Sequence, residues 1–429
     1  MARGGASPIR RGRRGLWHHG DFLLLWSAQG ISAVGSRVTR TALPMAAILV
    51  IGANAYELGL LAVAISLPGV LVAWFAGGWV DRHRRRPLLI ATDLIRAAAL
   101  LVIPAAAMLG SLTLPVLYAV AAVTGICTML FEVADHVFIT DLVSRKRLLD
   151  ANGKREAADA VAEISGPALG GALVAWLTAP LAIAADAASF VLSAVLISGI
   201  RKQETILAPL ASASVVDDAK TGIRVIRQAP AIRALFAAMV AFTLCGSFMA
   251  ALYTLFALRE LGLTPTELGI AIGCGGIGAL LGASISPRVV RRHGLRWTLI
   301  GSLVVTALMQ LLIPLAPPVP WIAMACLIGA QVIGDGAMTV YLVNETTLRQ
   351  RLLPPEALGR AAATWKVATG LLTPAGALLG ALLAETIGMR PTLVLLAVGF
   401  GIGACILVVA RRALPDDRIA MAASPSTPS

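Results

Sequence analysis

The sequence predicts an all-α integral membrane protein of twelve transmembrane helices, arranged as two pseudo-symmetric halves of six. Three observations carry that expectation. The 429-residue chain is 58% apolar and 14% charged, with a mean hydropathy of +0.82, whereas a soluble domain carries roughly 25% charged residues. Apolar runs of about 20 residues or more, long enough to cross a hydrocarbon core, recur from end to end. Thirty of the 36 Lys and Arg residues fall within 1–20, 81–86, 141–156, 201–233, 288–296, 344–362 and 411–429; Arg37, Arg40, Arg96 and Lys366 lie inside apolar runs, and the loops alternating with the basic segments hold only Arg259 and Arg390. That imbalance is the positive-inside signature. It places the basic loops and both termini in the cytoplasm of a multi-pass cell-membrane protein.

The twelve runs cover roughly 21–50, 57–80, 87–110, 114–140, 157–178, 180–200, 231–258, 267–287, 297–316, 319–343, 363–384 and 391–410. Each must satisfy its own backbone groups in lipid, which favours helices. A membrane barrel would alternate apolar and polar residues over roughly 10-residue segments, and no such alternation is present. Residues 1–20 form a basic cytoplasmic N-terminus. The apolar run after it is too long for the core of a signal peptide. The first half spans 21–200, a cytoplasmic linker 201–230 and the second half 231–410. The polar tail 411–429 is expected to be disordered and cytoplasmic.

The halves read as repeats. Glu57-Leu58-Gly59 aligns with Glu267-Leu268-Gly269 at an offset of 210 residues, and Leu89-Ile90 then meets Leu299-Ile300 without a gap. An even number of crossings in each copy makes the repeat parallel, related by an axis along the membrane normal. That is a transporter architecture.

Other classes lack their residues. The net charge of +13 is interleaved with apolar runs, so no nucleic-acid partner is expected. The five cysteines lie inside apolar runs without metal or disulfide spacing, and the five histidines make no i, i+4 metal pair. No phosphate-binding Gly-Lys loop or nucleophile elbow occurs. The chain is therefore expected to be no enzyme, to need no cofactor and to bind no metal. Its expected partners are the lipid bilayer and a small-molecule substrate, and it is expected to act as a monomer.

Two motifs carry mechanism. Between the second and third runs lie Gly77, Asp81, Arg82, Arg85 and Arg86. A small residue there lets two helices approach, and a carboxylate among cations makes charge-assisted bonds that can hold a cytoplasmic gate. The fifth run carries Gly166, Pro167, Gly170 and Gly171, which loosen a helix locally and admit a close neighbour. The first motif resembles the signature loop of the major facilitator superfamily, and the second resembles its antiporter motif. Phe131-Glu132-Val133-Ala134, Leu148-Leu149-Asp150-Ala151-Asn152, Gly166-Pro167 and Asp186-Ala187-Ala188-Ser189-Phe190 follow in order. With Leu358-Gly359-Arg360 in the second half, they resemble the drug–proton antiporter branch, which includes macrolide efflux pumps and the enterobactin exporter. The resemblance implies the facilitator fold, rocker-switch alternating access and export of an amphipathic molecule driven by the proton gradient. Import or facilitated passage of a metabolite is the alternative within transport; a non-transporting sensor or scaffold is the alternative outside it.

Charges inside the runs are functional candidates because each is costly in the bilayer. Arg37 and Arg40 lie in the first run without counterparts in the seventh. Burial disfavours a charged carboxylate and a nearby cation favours it; a proton-coupled site needs that competition. Glu132 is the first candidate for the proton-carrying acid and Asp135 the second, with Asp186 at a depth close to Arg40. Asp93 and Arg96, three residues apart on one helical face, are expected to form a structural pair. Asp159, Glu163 and Asp335 complete the acids of interest within the runs.

Overall fold

The computed structural model describes residues 16–80, 82–144, 147–202 and 215–415. They are helical: α1 (Gly20–Ala46, continued by a π-helical turn Ala47–Ile51), α2 (Ala55–Val80), α3 (Arg85–Met108), α4 (Leu114–Leu142), α5 (Leu148–Trp176) and α6 (Ala179–Ser198). After the linker helix α7 (Val215–Gln228) come α8 (Pro230–Arg259), α9 (Pro265–His293) and α10 (Leu295–Gln310), the last extended by one turn as α11 (Leu312–Leu315). The next crossing is built from α12 (Pro320–Gly329), a π-helical segment Ala330–Asp335 and α13 (Gly336–Leu352), followed by α14 (Pro355–Ile387) and α15 (Met389–Val409).

Among the described residues, eleven crossings are long and apolar enough to span a bilayer. The twelfth is α5, whose linker-side half carries Asp150, Lys154, Arg155, Glu156, Asp159 and Glu163. Its polar stretch is tolerated because α5 packs between α1 and α9, and protein rather than lipid covers much of it. The twelve crossings match the expectation from sequence. Several helices start earlier than their apolar runs: α5 begins at Leu148 and α14 at Pro355, because charged turns extend them beyond the hydrocarbon.

Proline occupies the first turn of α4, α6, α8, α9, α12 and α14. The amide it lacks would be unsatisfied there in any case. The 210-residue repeat has a local structural basis. Asn54 and Glu57 cap α2 reciprocally, each side chain bonding the other's backbone N–H at 2.8 Å. Thr264 and Glu267 do the same at α9, with distances of 3.3 and 2.8 Å. The repeated Glu-Leu-Gly is thus half of a capping box at equivalent helix starts.

The apolar core shows how the halves meet. On the side away from the linker, Met45, Ala46, Leu58 and Leu61 of the first half share one buried cluster with Leu252, Phe256, Leu268 and Leu393 of the second. On the linker side each half has its own cluster. Phe22, Leu25, Phe138 and Ile197 form one, and Leu235, Leu299, Tyr341 and Leu407 the other. The two halves are therefore sealed together on the far side and separate on the linker side. α7 packs on α14, with Gly222 against Thr364 and the Arg360 carbonyl, so the linker helix is attached to the second half.

Candidate functional site

A cavity of about 620 Å³ lies between the halves, with mostly apolar walls. On the first-half wall, Arg37 and Arg40 stand one helical turn apart on α1. Both reach Glu163 of α5, at 2.7 and 3.6 Å. Small residues make this approach possible. Gly166, one turn beyond Glu163, lies against the Arg37 side chain, and a Cβ at Gly170 would lie 3.2 Å from Thr41 Cβ and the Val38 backbone. Gly171 faces the other way, where its Cβ would lie 3.0 Å from the Gly269 Cα of α9. The Gly-Pro segment thus has two packing faces. One binds α5 to α1 within the first half; the other meets the second half backbone to backbone.

The second-half wall is built around Asp335, at the end of the π-helical segment. Gly275, Gly278 and Gly282 of α9 lie under this segment; their missing side chains leave room for Asp335 and for the backbone of Val332 and Gly336. Thr306 donates to the Gly334 carbonyl at 3.3 Å, which helps satisfy backbone groups displaced by the π geometry. Among the described residues Asp335 has no ion-pair partner. Gln310 and Tyr253 also line the cavity, each only 8% exposed, and among the described residues Gln310 Oε1 and Tyr253 Oη have no hydrogen-bond partner.

The sequence candidates divide. Arg37 and Arg40 line the cavity; Glu132, Asp135 and Asp186 are not among its lining residues. Glu132 is exposed on α4. Asp135 is buried, bound to Arg155 of α5 at 2.7 Å and to Gln29 of α1, and so ties three helices together. Asp186 is buried behind Gly35 of α1 and accepts from Ser189 at 2.9 Å. Asp93 and Arg96 are buried and in contact, with the guanidinium 4.6 Å from the Phe131 ring centre and 4.1 Å from that of Phe190.

In the loop motif, Asp81 lies outside the described residues, Gly77 is in the last turn of α2 and Arg82 is exposed. Arg85 binds Asp141 at 2.8 Å, and Arg86 donates to the Ile197 carbonyl at 3.1 Å and to that of Ser198. These bonds join α3 to the ends of α4 and α6. Of the expected tail and N-terminus, residues 416–429 and 1–15 likewise lie outside the described residues.

Glu163 and Asp335 are the acids that the cavity selects. Glu163 was legible as the acid one turn before the Gly-Pro segment. Asp335 was legible as an acid inside the tenth run, without a sign that it faces the cavity.

Two helical bundles around a central cavity, closed together on one side, define a transporter of the major facilitator type. The chain belongs to the transmembrane secretion effector family of that superfamily, whose profile matches residues 16–428. It is 26% identical over 393 residues to the multidrug efflux pump Tap of Mycolicibacterium fortuitum, covering 88% of this chain and 92% of that protein. It superposes on the inward-facing crystal structure of a bacterial homologue of the iron transporter ferroportin with a TM-score of 0.72 at 18% identity, covering 92% and 99% of the two chains. The outward-facing structure of a bacterial ferroportin homologue gives 0.59 at 18% identity, covering 91% and 99%. The nucleoside transporter NupG gives 0.73 at 13% identity, with coverage of 91% and 99%.

Proposed function

We propose that this chain exports an amphipathic small molecule in exchange for protons, with the linker side in the cytoplasm and the halves rocking about the central cavity. The observation that carries this reading is an unpaired carboxylate, Asp335, in the mostly apolar wall of a cavity sealed on the far side. Closing such a cavity around an uncompensated charge is costly, because the ion loses water without gaining a partner. Either a bound proton or a bound substrate removes that cost. The carrier therefore crosses with one or the other. Inward proton flow then drives outward substrate movement.

The trio Arg37, Arg40 and Glu163 serves a different end. It joins α1 to α5 beside the contact of Ile164 with Gly273 and Gly276 of α9, so movement of α5 against α9 is transmitted to the cavity wall. The basic loops on the linker side support a cytoplasmic placement. The name of the efflux pump relative supports the export direction.

The test is a drug and metabolite susceptibility screen on a deletion strain, followed by everted membrane vesicles with the compound found supplied in the external medium. Acidifying the lumen should drive accumulation in wild-type vesicles and not in vesicles carrying Asp335→Asn. That comparison also removes passive trapping of weak bases. Equal accumulation with and without the gradient would refute proton coupling.

A further inference from the structure

The unsatisfied polar atoms of the cavity are confined to one wall. Asp335 from the π-helical segment, Gln310 from the end of α10 and Tyr253 from α8 all line the second-half side. Gln310 Oε1 and Tyr253 Oη have no partner although their residues are more than nine-tenths buried. A buried polar atom left unpaired carries the full cost of its lost water; two such atoms, Gln310 Oε1 and Tyr253 Oη, converge with the partly buried Asp335 carboxylate on one space from three separate elements. On the opposite wall the charged groups already have partners, since Arg37 and Arg40 share Glu163, two cations on one carboxylate.

The chemistry these three groups lack is a set of N–H donors carrying positive charge. A carboxylate supplies the counter-charge, an amide oxygen accepts one hydrogen bond and a phenol oxygen accepts another. A metal ion is a poor fit: no group of three or more metal-ligating side chains occurs among the described residues. An anion would face Asp335 directly. A quaternary ammonium would meet the charge but leave Gln310 and Tyr253 unpaired, because it has no N–H to donate. The same cavity carries Phe242 and Phe400, with ring centroids 5.5 Å apart, and Met249 and Ile272 for an apolar body.

The geometry points to a substrate subsite for a protonated amine, in which Asp335, Gln310 and Tyr253 bind an N–H-bearing ammonium while the apolar remainder lies against Phe242 and Phe400. This assignment rests on the reading of the cavity as the transport site and adds its chemical selectivity. A site that uses hydrogen bonds to recognise its ligand rejects analogues that leave its polar groups unpaired. Discrimination between a protonated amine and its trimethylated form follows from that rule.

The test is equilibrium binding to purified full-length protein in detergent, which needs no transport. The probes are 4-(1-naphthyl)butylamine, its N,N,N-trimethylammonium analogue, the corresponding alcohol and the corresponding carboxylate. The amine should bind at least tenfold more tightly than each of the other three. Asp335→Asn should weaken amine binding at least tenfold and bring it level with the alcohol. Gln310→Leu and Tyr253→Phe should each reduce the preference for the amine over the trimethylammonium while leaving affinity for the latter within about twofold. These two variants keep the test decisive if Asp335→Asn does not purify as a monodisperse protein.

Trimethylammonium binding equal to or tighter than that of the amine would overturn the assignment, as would preferred binding of the carboxylate. Amine selectivity without proton-driven flux in vesicles would leave the subsite standing and refute the exporter reading. Flux of another compound without amine selectivity would do the reverse.

Discussion

Replacing Gly273 with Ala should shift the carrier toward its opposite conformation. Gly273 is buried on α9, facing Ile164 of α5 across the junction of the halves. A Cβ at that position would lie 2.6 Å from the Ile164 carbonyl oxygen, well inside the 3.0 Å below which real Cβ atoms essentially never approach a neighbour. The oxygen belongs to a helix backbone, so it cannot turn aside as a side-chain tip would. The helices must separate by about 0.8 Å or more to reach ordinary contact. Overpacking of this kind costs about 1–3 kcal/mol. If the far-side-open state separates α5 from α9, that cost applies to the far-side-closed state alone. The ratio of the two states then moves roughly 5- to 150-fold. The assay is double electron–electron resonance between spin labels at Leu149 and His293, on the linker-side ends of α5 and α9, in a background without native cysteines. The long-distance population expected for wild type should give way to a shorter one in Gly273→Ala. An unchanged distance distribution in a stably folded variant would refute the view that close backbone contact holds this state.

Four further outcomes are expected. Glu163→Gln should reduce transport at least tenfold with little change in melting temperature, because it leaves Arg37 and Arg40 without their shared carboxylate in a site that is only half-buried; wild-type flux would contradict its role. Arg259→Ala removes a hydrogen bond of 2.9 Å to the Gly52 carbonyl across the far side, and at about 0.5–1.5 kcal/mol for such a bond it should raise far-side accessibility a few-fold in cysteine labelling. Glu132→Gln should transport like wild type, since the side chain is exposed and off the cavity; a tenfold loss of flux would restore Glu132 as the proton carrier. Asp135→Ala should lower the melting temperature by several degrees, because it leaves Arg155 and Gln29 without their buried partner, and an unchanged melting temperature would count against a tie between α1, α4 and α5.

Much of the fold was legible because its signals are local and additive. Run length, charge alternation and the offset of Glu57 on Glu267 each depend on neighbours in sequence, and the last proved to be a pair of capping boxes. The cavity was less legible. Choosing Glu132, Asp135 and Asp186 required knowing which face of each helix turns inward, and depth along a helix does not give its rotation. The structure turns Asp186 behind Gly35 and Glu132 outward. Asp335 was harder still, since the π-helical segment before it breaks the 3.6-residue register from which a face is read. Glu163 was legible as an acid within the fifth run, but not as the partner of Arg37 and Arg40. Its helix is the most charged of the twelve crossings, and which of those charges meets α1 depends on a rotation that the sequence does not give.

Arg259 and Arg390 show the same contrast. The sequence marked them as the two exceptions to the charge rule. The structure gives both a partner: Arg259 reaches Gly52 in the other half, and Arg390 binds Glu260 at 3.0 Å and the Pro314 carbonyl at 3.1 Å.

In the proposed cycle one carboxylate, Asp335, is neutralised alternately by substrate and by proton. Proton release on substrate binding tests it most directly. Purified protein in weakly buffered detergent solution, with a pH-indicating dye, should release protons when the transported compound is added. The release should saturate with binding and vanish in Asp335→Asn. Saturable binding of that compound to wild-type protein with no proton release at any pH between about 5 and 9 would contradict the account.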